Sequence, residues 1–200
     1  PSVYSDKDKF IIMDRHPNIA QFLDSYRDDE GKLCLVTEFC PGGNLKQFVD
    51  IGRLPEQVAS DFLLQISHGL QHLHKHRFIH RDMKPENVLL TSQSFQARIK
   101  IADFDFCRRL SGEEMDMTVC GSPQYMAPEV FQSVGFHVYG IPADVWSLGA
   151  LFYFMLTGKV PFTGNNLIEL YCAILNTPLP LHPPSGVSEN SWNIVRQVQT

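Results

Sequence analysis

The sequence predicts an α+β chain in which a small sheet precedes a mainly helical body, and three observations carry that expectation. Two short strand-like runs near the start are separated by the turn-forming Asp28-Asp29-Glu30-Gly31, a hairpin by composition. From Pro55 to Arg77 the apolar residues Val58, Phe62, Ile66, Leu70 and Leu73 recur at steps of three or four, the period of a helix with one buried face. The stretch Ile141 to Gly158, IPADVWSLGALFYFMLTG, is apolar nearly all round, as a helix enclosed in a large core must be.

Taken in order, Pro1 to Lys9 is polar and carries no secretory segment. Phe10 to Met13 forms an apolar patch leading into His16-Pro17-Asn18-Ile19. Strands are expected over Ile19 to Tyr26 and Lys32 to Phe39. The second runs into Thr37-Glu38-Phe39-Cys40-Pro41-Gly42-Gly43, after which Asn44 caps a helix over Leu45, Phe48 and Val49. His72, His74 and His76 alternate at the end of the long helix, but positions two apart on a helix do not face one another, which argues against a metal site there. After a loop and the short strand ending at Leu90 comes the polar turn TSQSFQ, then a strand over Ala97 to Ala102. Beyond the apolar helix, Asn165 to Leu175 reads as a further amphipathic helix and Pro178 to Pro184 as a surface connection. No internal repeat is visible.

Composition narrows the class. With 200 residues, 44% hydrophobic and 20% charged, the chain can bury a real core and is neither disordered nor collagen-like. A formal net charge of -5 with no dense basic tract argues against nucleic acid or an anionic membrane as the main partner. The apolar run Val145 to Leu156 falls well short of the roughly 20 residues a membrane span needs, and Asp144 and Lys159 flank it. Five cysteines, Cys34, Cys40, Cys107, Cys120 and Cys172, are odd in number and scattered, so a reducing compartment fits better than a disulfide framework.

The chemistry concentrates in Phe78 to Leu90, FIHRDMKPENVLL. Asp82 can accept or orient the proton of an attacking hydroxyl, Lys84 can neutralise a transferring γ-phosphate, and Asn87 offers an oxygen to Mg²⁺, a set that phosphoryl transfer requires. The strand from Ala97 then delivers Asp103-Phe104-Asp105. On these residues the chain resembles the protein kinase family, and Lys84 points to its Ser/Thr branch. The resemblance implies a kinase-like α+β fold, ATP and Mg²⁺ as cofactors, and protein substrates. It gives Asp103, at the family's Asp-Phe-Gly position, a metal-chelating role beside Asn87. Asp105 departs from the family's glycine: Asp tolerates left-handed dihedrals, but it adds a third carboxyl near Asp82 and Asp103.

Gly121-Ser122-Pro123-Gln124-Tyr125-Met126-Ala127-Pro128-Glu129 resembles the end of a kinase activation segment. By matching position, Thr118 is the activating phosphorylation site, with an ordinary exposed threonine as the alternative. Ser122 steadies Asp82 and Lys84, and Glu129 normally closes an ion pair with a late arginine, but no arginine stands in the expected context before Thr200. Asp144 by resemblance accepts backbone hydrogen bonds from the segment around Arg81. Around the hinge, Thr37 guards the back of the adenine pocket, the Glu38 carbonyl and the backbone of Cys40 bond the base, and Leu89 lies below it. Glu86 is the remaining nucleotide-binding residue of the set. Taken alone, the hinge segment also reads as a plain strand-to-helix turn.

The resemblance divides one incomplete domain into residues 1–39 as a remnant of the small lobe, 40–43 as the hinge and 44–200 as the helical lobe. The family's glycine-rich loop and third-strand lysine are not found, and no glutamate stands around Asp6, Lys7 and Asp8 to serve as the regulatory-helix acid. Both ends of the domain are therefore expected to be cut, leaving Leu33 to Val36 as an apolar strand edge. ARIKIADFDFCRRL, TVCGSPQYMAPEV, DVWSLGALFYFMLTGKVPFTGNN and EFCPGGNL run close to the unc-51-like, autophagy-initiating kinases. That resemblance implies a cytoplasmic location and autophagy-complex partners. The alternative is a non-catalytic kinase-like scaffold that docks partners through its helical lobe.

Overall fold

The computed structural model describes residues 16–50, 52–110, 121–132 and 140–198. The patch Phe10 to Met13, the stretch around Asp6, Cys120 and Thr118 lie outside the described residues.

Strand β1 (Phe22–Arg27) pairs antiparallel with β2 (Leu33–Thr37), Arg27 opposite Leu33 and Phe22 opposite Thr37, with a break in register between Phe22 and Asp24. The turn between them is built by Asp28, whose Oδ1 accepts the amides of Glu30 (3.1 Å) and Lys32 (2.8 Å). Both strands are shorter than expected, for the same reason: the flanking residues have other partners. Ile19 forms a parallel bridge with Ile101 instead of extending β1, and the chain leaves β2 after Glu38, whose amide still donates to the Gln21 carbonyl. The far edge of β2 has no partner strand among the described residues.

Helix α1 (Leu45–Val49) opens on the capping box formed by Asn44 and Gln47. Gly42 and Gly43 press it flat onto the chain below: a Cβ at Gly42 would stand 2.5 Å from the Ser92 carbonyl oxygen, which backbone cannot yield. Helix α2 (Glu56–Lys75) buries Phe62, Ile66, Leu70 and Leu73, the stripe read from the sequence. Strand β3 (Phe78–Ile79) leads into the loop, and β4 (Val88–Leu90) pairs antiparallel with β5 (Ile99–Ile101), Val88 opposite Ile101. Strand β6 (Arg108–Arg109) returns to β3. A short α3 (Pro128–Gln132) precedes α4 (Ile141–Thr157), in which Ala150, Leu151, Phe152, Met155 and Leu156 are wholly enclosed. It packs between α2 and the last helix, and ends at Gly158 in the left-handed conformation. Among the described residues no helix is long and apolar enough to cross a membrane.

Helix α5 (Leu167–Asn176) falls close to its expected span. Helix α6 (Glu189–Val198) was not expected from the sequence. Its apolar residues are Trp192, Ile194, Val195 and Val198 in an otherwise polar segment, and only Trp192 and Val195 of these are buried. Trp192 nevertheless sits fully in the core, its indole N–H donating to the Pro180 carbonyl at 2.8 Å. The start of α6 is tied to the start of α2, where the Glu56 carboxylate accepts both hydroxyls of Ser188 and Ser191 and the Ser188 amide.

Candidate active site

Two helices build the loop before any of its chemistry is reached. Asp144, in the first turn of α4 and 2% exposed, accepts the amides of His80 (2.9 Å) and Arg81 (3.0 Å) on its two oxygens, and His74 Nε2 of α2 lies 2.8 Å from one of them. This is the backbone clamp that the resemblance implied for Asp144. It holds Arg81 in the left-handed region at φ 71, a strain of about 1–3 kcal/mol for a non-glycine residue that the clamp must offset. The neighbouring His80 is wholly buried. Because the Asp82 amide donates to His80 Nδ1 (3.3 Å), the proton rests on Nε2, which donates to the Ala102 carbonyl at 3.0 Å. That bond joins the loop to the residue just before Asp103.

The Asp82 carboxylate, 3% exposed, is the focus. Lys84 Nζ lies 2.7 Å from Oδ2 and the Asn87 amide donates to the same oxygen at 3.1 Å and to the Asp82 carbonyl at 2.8 Å. Ser122 Oγ donates to Oδ1 at 3.1 Å, from a segment forty residues further along the chain. A carboxylate this enclosed has lost its water, and these donors replace it. Gly121 permits the approach: with φ 108 and the Arg81 carbonyl 2.6 Å from where its Cβ would be, no other residue fits without displacement.

Asn87 closes a 3-10 turn over Pro85–Asn87 and Asp103 follows β5, so the β4–β5 pairing sets them at the same end of one hairpin. The Ala102 amide donates to the Asn87 carbonyl at 2.9 Å. Since the Asn87 nitrogen is committed to Asp82, its side-chain oxygen is the group left for a cation, and the Asp103 carboxylate, which follows the same hairpin end, is exposed. Hard oxygen donors of this kind suit Mg²⁺. Asp103 has φ 61, whereas Asp105 is outside the left-handed region, so this conformation makes no demand on the glycine freedom that Asp105 forgoes. The Asp105 amide reaches Asp103 Oδ1 at 3.5 Å. Phe104 packs edge-on against His80, ring centres 5.3 Å apart.

At the other end of the site, Thr37 ends β2 half-buried, and Glu38, Phe39 and Cys40 form the connector to α1. The connector closes on β4: the Gly42 amide donates to the Leu90 carbonyl and the Leu90 amide to the Gly43 carbonyl, both 2.9 Å, and Asn44 bridges to Leu89. The Cys40 carbonyl accepts the Gly43 amide at 3.2 Å. Neither the Glu38 carbonyl nor the Cys40 amide has a partner among the described residues, although Cys40 is only 8% exposed. A buried donor two residues from an unpaired acceptor fits the edge of a planar base. Burial, with the nearby Glu38 charge second, pushes the Cys40 thiol up, so it is not a nucleophile here. Glu86 pairs with Lys46 of α1 at 3.2 Å; both are substantially exposed and the pair is worth little by itself.

The structure therefore brings Asp82, Lys84, Asn87 and Ser122 into direct contact, with Asp103 adjoining through the hairpin. Thr37, Glu38, Cys40 and Leu89 stand along the connector and β4. Sequence reasoning missed Lys100, which joins Glu38 at 2.6 Å, and the His74 contact to Asp144. A lone lysine between Ile99 and Ile101 was the available signal for the first; nothing local announced the second.

A connector with an unpartnered carbonyl and amide, an enclosed aspartate on a strained loop and a hairpin carrying a second acid accord with a protein kinase domain, and a family model of that description, the protein kinase domain, matches residues 9–198. The chain belongs to the protein kinase family. Its relatives include Serine/threonine-protein kinase ATG1b of Arabidopsis thaliana, 44% identical over 177 residues covering 88% of this chain and 24% of the relative. ATG1a of the same plant is 45% identical over 157 residues, 78% of this chain and 24% of that protein. Serine/threonine-protein kinase ULK3 of Homo sapiens is 39% identical over 173 residues, 84% of this chain and 36% of the relative. The chain thus spans about a quarter of the length of the ATG1 relatives it matches (24%).

Proposed function

We propose that this chain is the catalytic part of a protein serine/threonine kinase that moves the γ-phosphate of ATP to Ser or Thr hydroxyls of protein substrates. The carrying observation is the Asp82 carboxylate held between Ser122 on one oxygen and Lys84 with Asn87 on the other. Asp82 receives the proton of the incoming hydroxyl as its oxygen attacks phosphorus, and the bond to the ADP oxygen breaks. Lys84, two residues away and already at the carboxylate, neutralises charge on the phosphoryl group in flight. Ser122 keeps the Asp82 carboxylate turned toward the substrate. Asn87 and Asp103 are the residues that would hold Mg²⁺, which would supply screening of the phosphate charges. The unpaired Glu38 carbonyl and Cys40 amide take the adenine edge, with Thr37 behind, Leu89 beneath and Glu86 at the nucleotide's flank. Similarity to the ATG1 and ULK kinases supports a role in autophagy initiation, in the cytoplasm and with autophagy-complex partners.

Asp105 favours a second reading, a kinase-like scaffold, because its carboxyl adds negative charge beside Asp103 where phosphates must lie. One experiment separates the two. Incubation with ATP, Mg²⁺ and a generic protein substrate, followed by identification of the modified residue type, is expected to give phosphoserine and phosphothreonine. Asp82→Asn should lower the rate by about 10²–10⁴-fold. Nucleotide binding without any Asp82-dependent transfer leaves the scaffold as the better account.

A further inference from the structure

We propose that Lys100 and Glu38 act as a positioning pair for the nucleotide, fixing the connector that takes the adenine against the strand that delivers Asp103. The inference rests on the kinase reading above. Lys100 lies in β5 between Ile99 and Ile101, both fully buried, and three residues before Asp103. Its side chain is only 10% exposed, and an ammonium so enclosed needs an anion. The anion is Glu38, in the connector, with Oε1 at 2.6 Å; Nζ also reaches the Ile19 carbonyl at 3.5 Å.

Glu38 is then held on two sides. Oε1 accepts the Gln21 amide at 2.8 Å and the Glu38 amide donates to the Gln21 carbonyl at 2.9 Å, which leaves its own carbonyl as the group with no partner among the described residues. On its other side, the residues just before Gln21 are fastened to β5. Ile101 donates to the Asn18 carbonyl (2.9 Å) and Ala20 to the Ile101 carbonyl (2.8 Å). Asn18 Nδ2 donates to the Ile99 carbonyl (3.0 Å) and to Gln65 of α2 (3.2 Å). The connector, the segment Asn18 to Gln21, and β5 thus form one closed circuit in which Lys100–Glu38 is the direct strut. A buried ion pair adds little net stability over an apolar pair of the same shape. What this one supplies is a fixed separation between the adenine-binding backbone and the metal-binding end of β5.

The test compares Lys100→Met, Glu38→Gln, the double variant and Lys100→Arg in ATP kinetics and in amide hydrogen exchange. Either neutral single variant should raise the KM for ATP about tenfold, with no further rise in the double variant, the non-additivity of a contacting pair. The KM for protein substrate should stay within about twofold, since Asp82 and its partners are untouched, and kcat should fall by less than the KM for ATP rises. Lys100→Arg should recover most of the ATP affinity. Without nucleotide, the amides of 38–42 should exchange faster in Lys100→Met while those of 150–156 do not change. Lower melting temperature with unaltered KM for ATP, additive single effects, or unaltered connector exchange would each overturn the proposal. Should Lys100→Met fail to fold, Glu38→Gln, which keeps an oxygen for Gln21 and removes only the charge, carries the same comparison. Wild-type chain that takes up no ATP sinks the kinase reading itself, a result distinct from wild-type binding that the variants leave unchanged.

Discussion

Asp82, Asp103 and Asp105 occupy three different electrostatic situations within one short reach of chain. Asp82 is enclosed and compensated by Lys84, Asn87 and Ser122, whereas Asp103 and Asp105 are exposed and share one long amide contact. The extra charge of Asp105 raises the local demand for cation, so Asp105→Gly should lower the Mg²⁺ concentration at which ATP turnover is half-maximal, by about two- to fivefold. A Mg²⁺ titration of initial rates checks it, and coincident titrations would show that Asp105 is electrostatically silent. Arg81 makes the complementary point. Its left-handed backbone was invisible in the motif His-Arg-Asp, because the cause is Asp144, sixty-three residues away.

Among the elements, the turn His16-Pro17-Asn18-Ile19 is small but central, because it meets both α2 and β5. His16 Nδ1 accepts the Asn18 amide at 3.1 Å, so a proton added there removes that bond. Burial first, then His72, His68, Lys100 and Lys75, hold its pKa below the ordinary 6.5. The unfolded chain therefore takes up this proton before the folded one as pH falls. Stability should decline as pH drops through about 6.5 toward the folded-state value and level off below it. Denaturant unfolding of wild type and His16→Gln across that window checks this. The variant is expected to have the shallower slope; equal slopes would assign the pH dependence to other groups. The same turn explains why β1 begins at Phe22: Ile19 and Ala20 were read as strand on composition, and they do pair, but with β5. By contrast α1, α2 and α4 were legible from period, cap and apolar run, since each of those signals is local.

At the scale of the whole molecule, α4 is the axis on which α2 and α6 are assembled. Trp192 is the only large residue α6 commits wholly to that core, and it also packs at a tilt against Tyr153 with ring centres 5.5 Å apart. Trp192→Ala should destabilise the fold by about 3–5 kcal/mol through the cavity it leaves, read as a lower denaturation midpoint. A loss under about 1 kcal/mol would mean that α6 is peripheral to the cooperative unit. The sequence by itself determined the class of this protein and pointed to its candidate site, because Asp82, Lys84, Asn87 and Asp103 sit in short motifs whose residue types and spacing are read without a partner. Only the tertiary structure decided how those groups are held. For Ser122 on Asp82 and Asp144 beneath the loop, which the resemblance implied, it supplied the geometry; Lys100 against Glu38 and α6 in the core it alone revealed, because these are contacts between distant segments and one-dimensional spacing has no term for a partner that folding brings to hydrogen-bond distance.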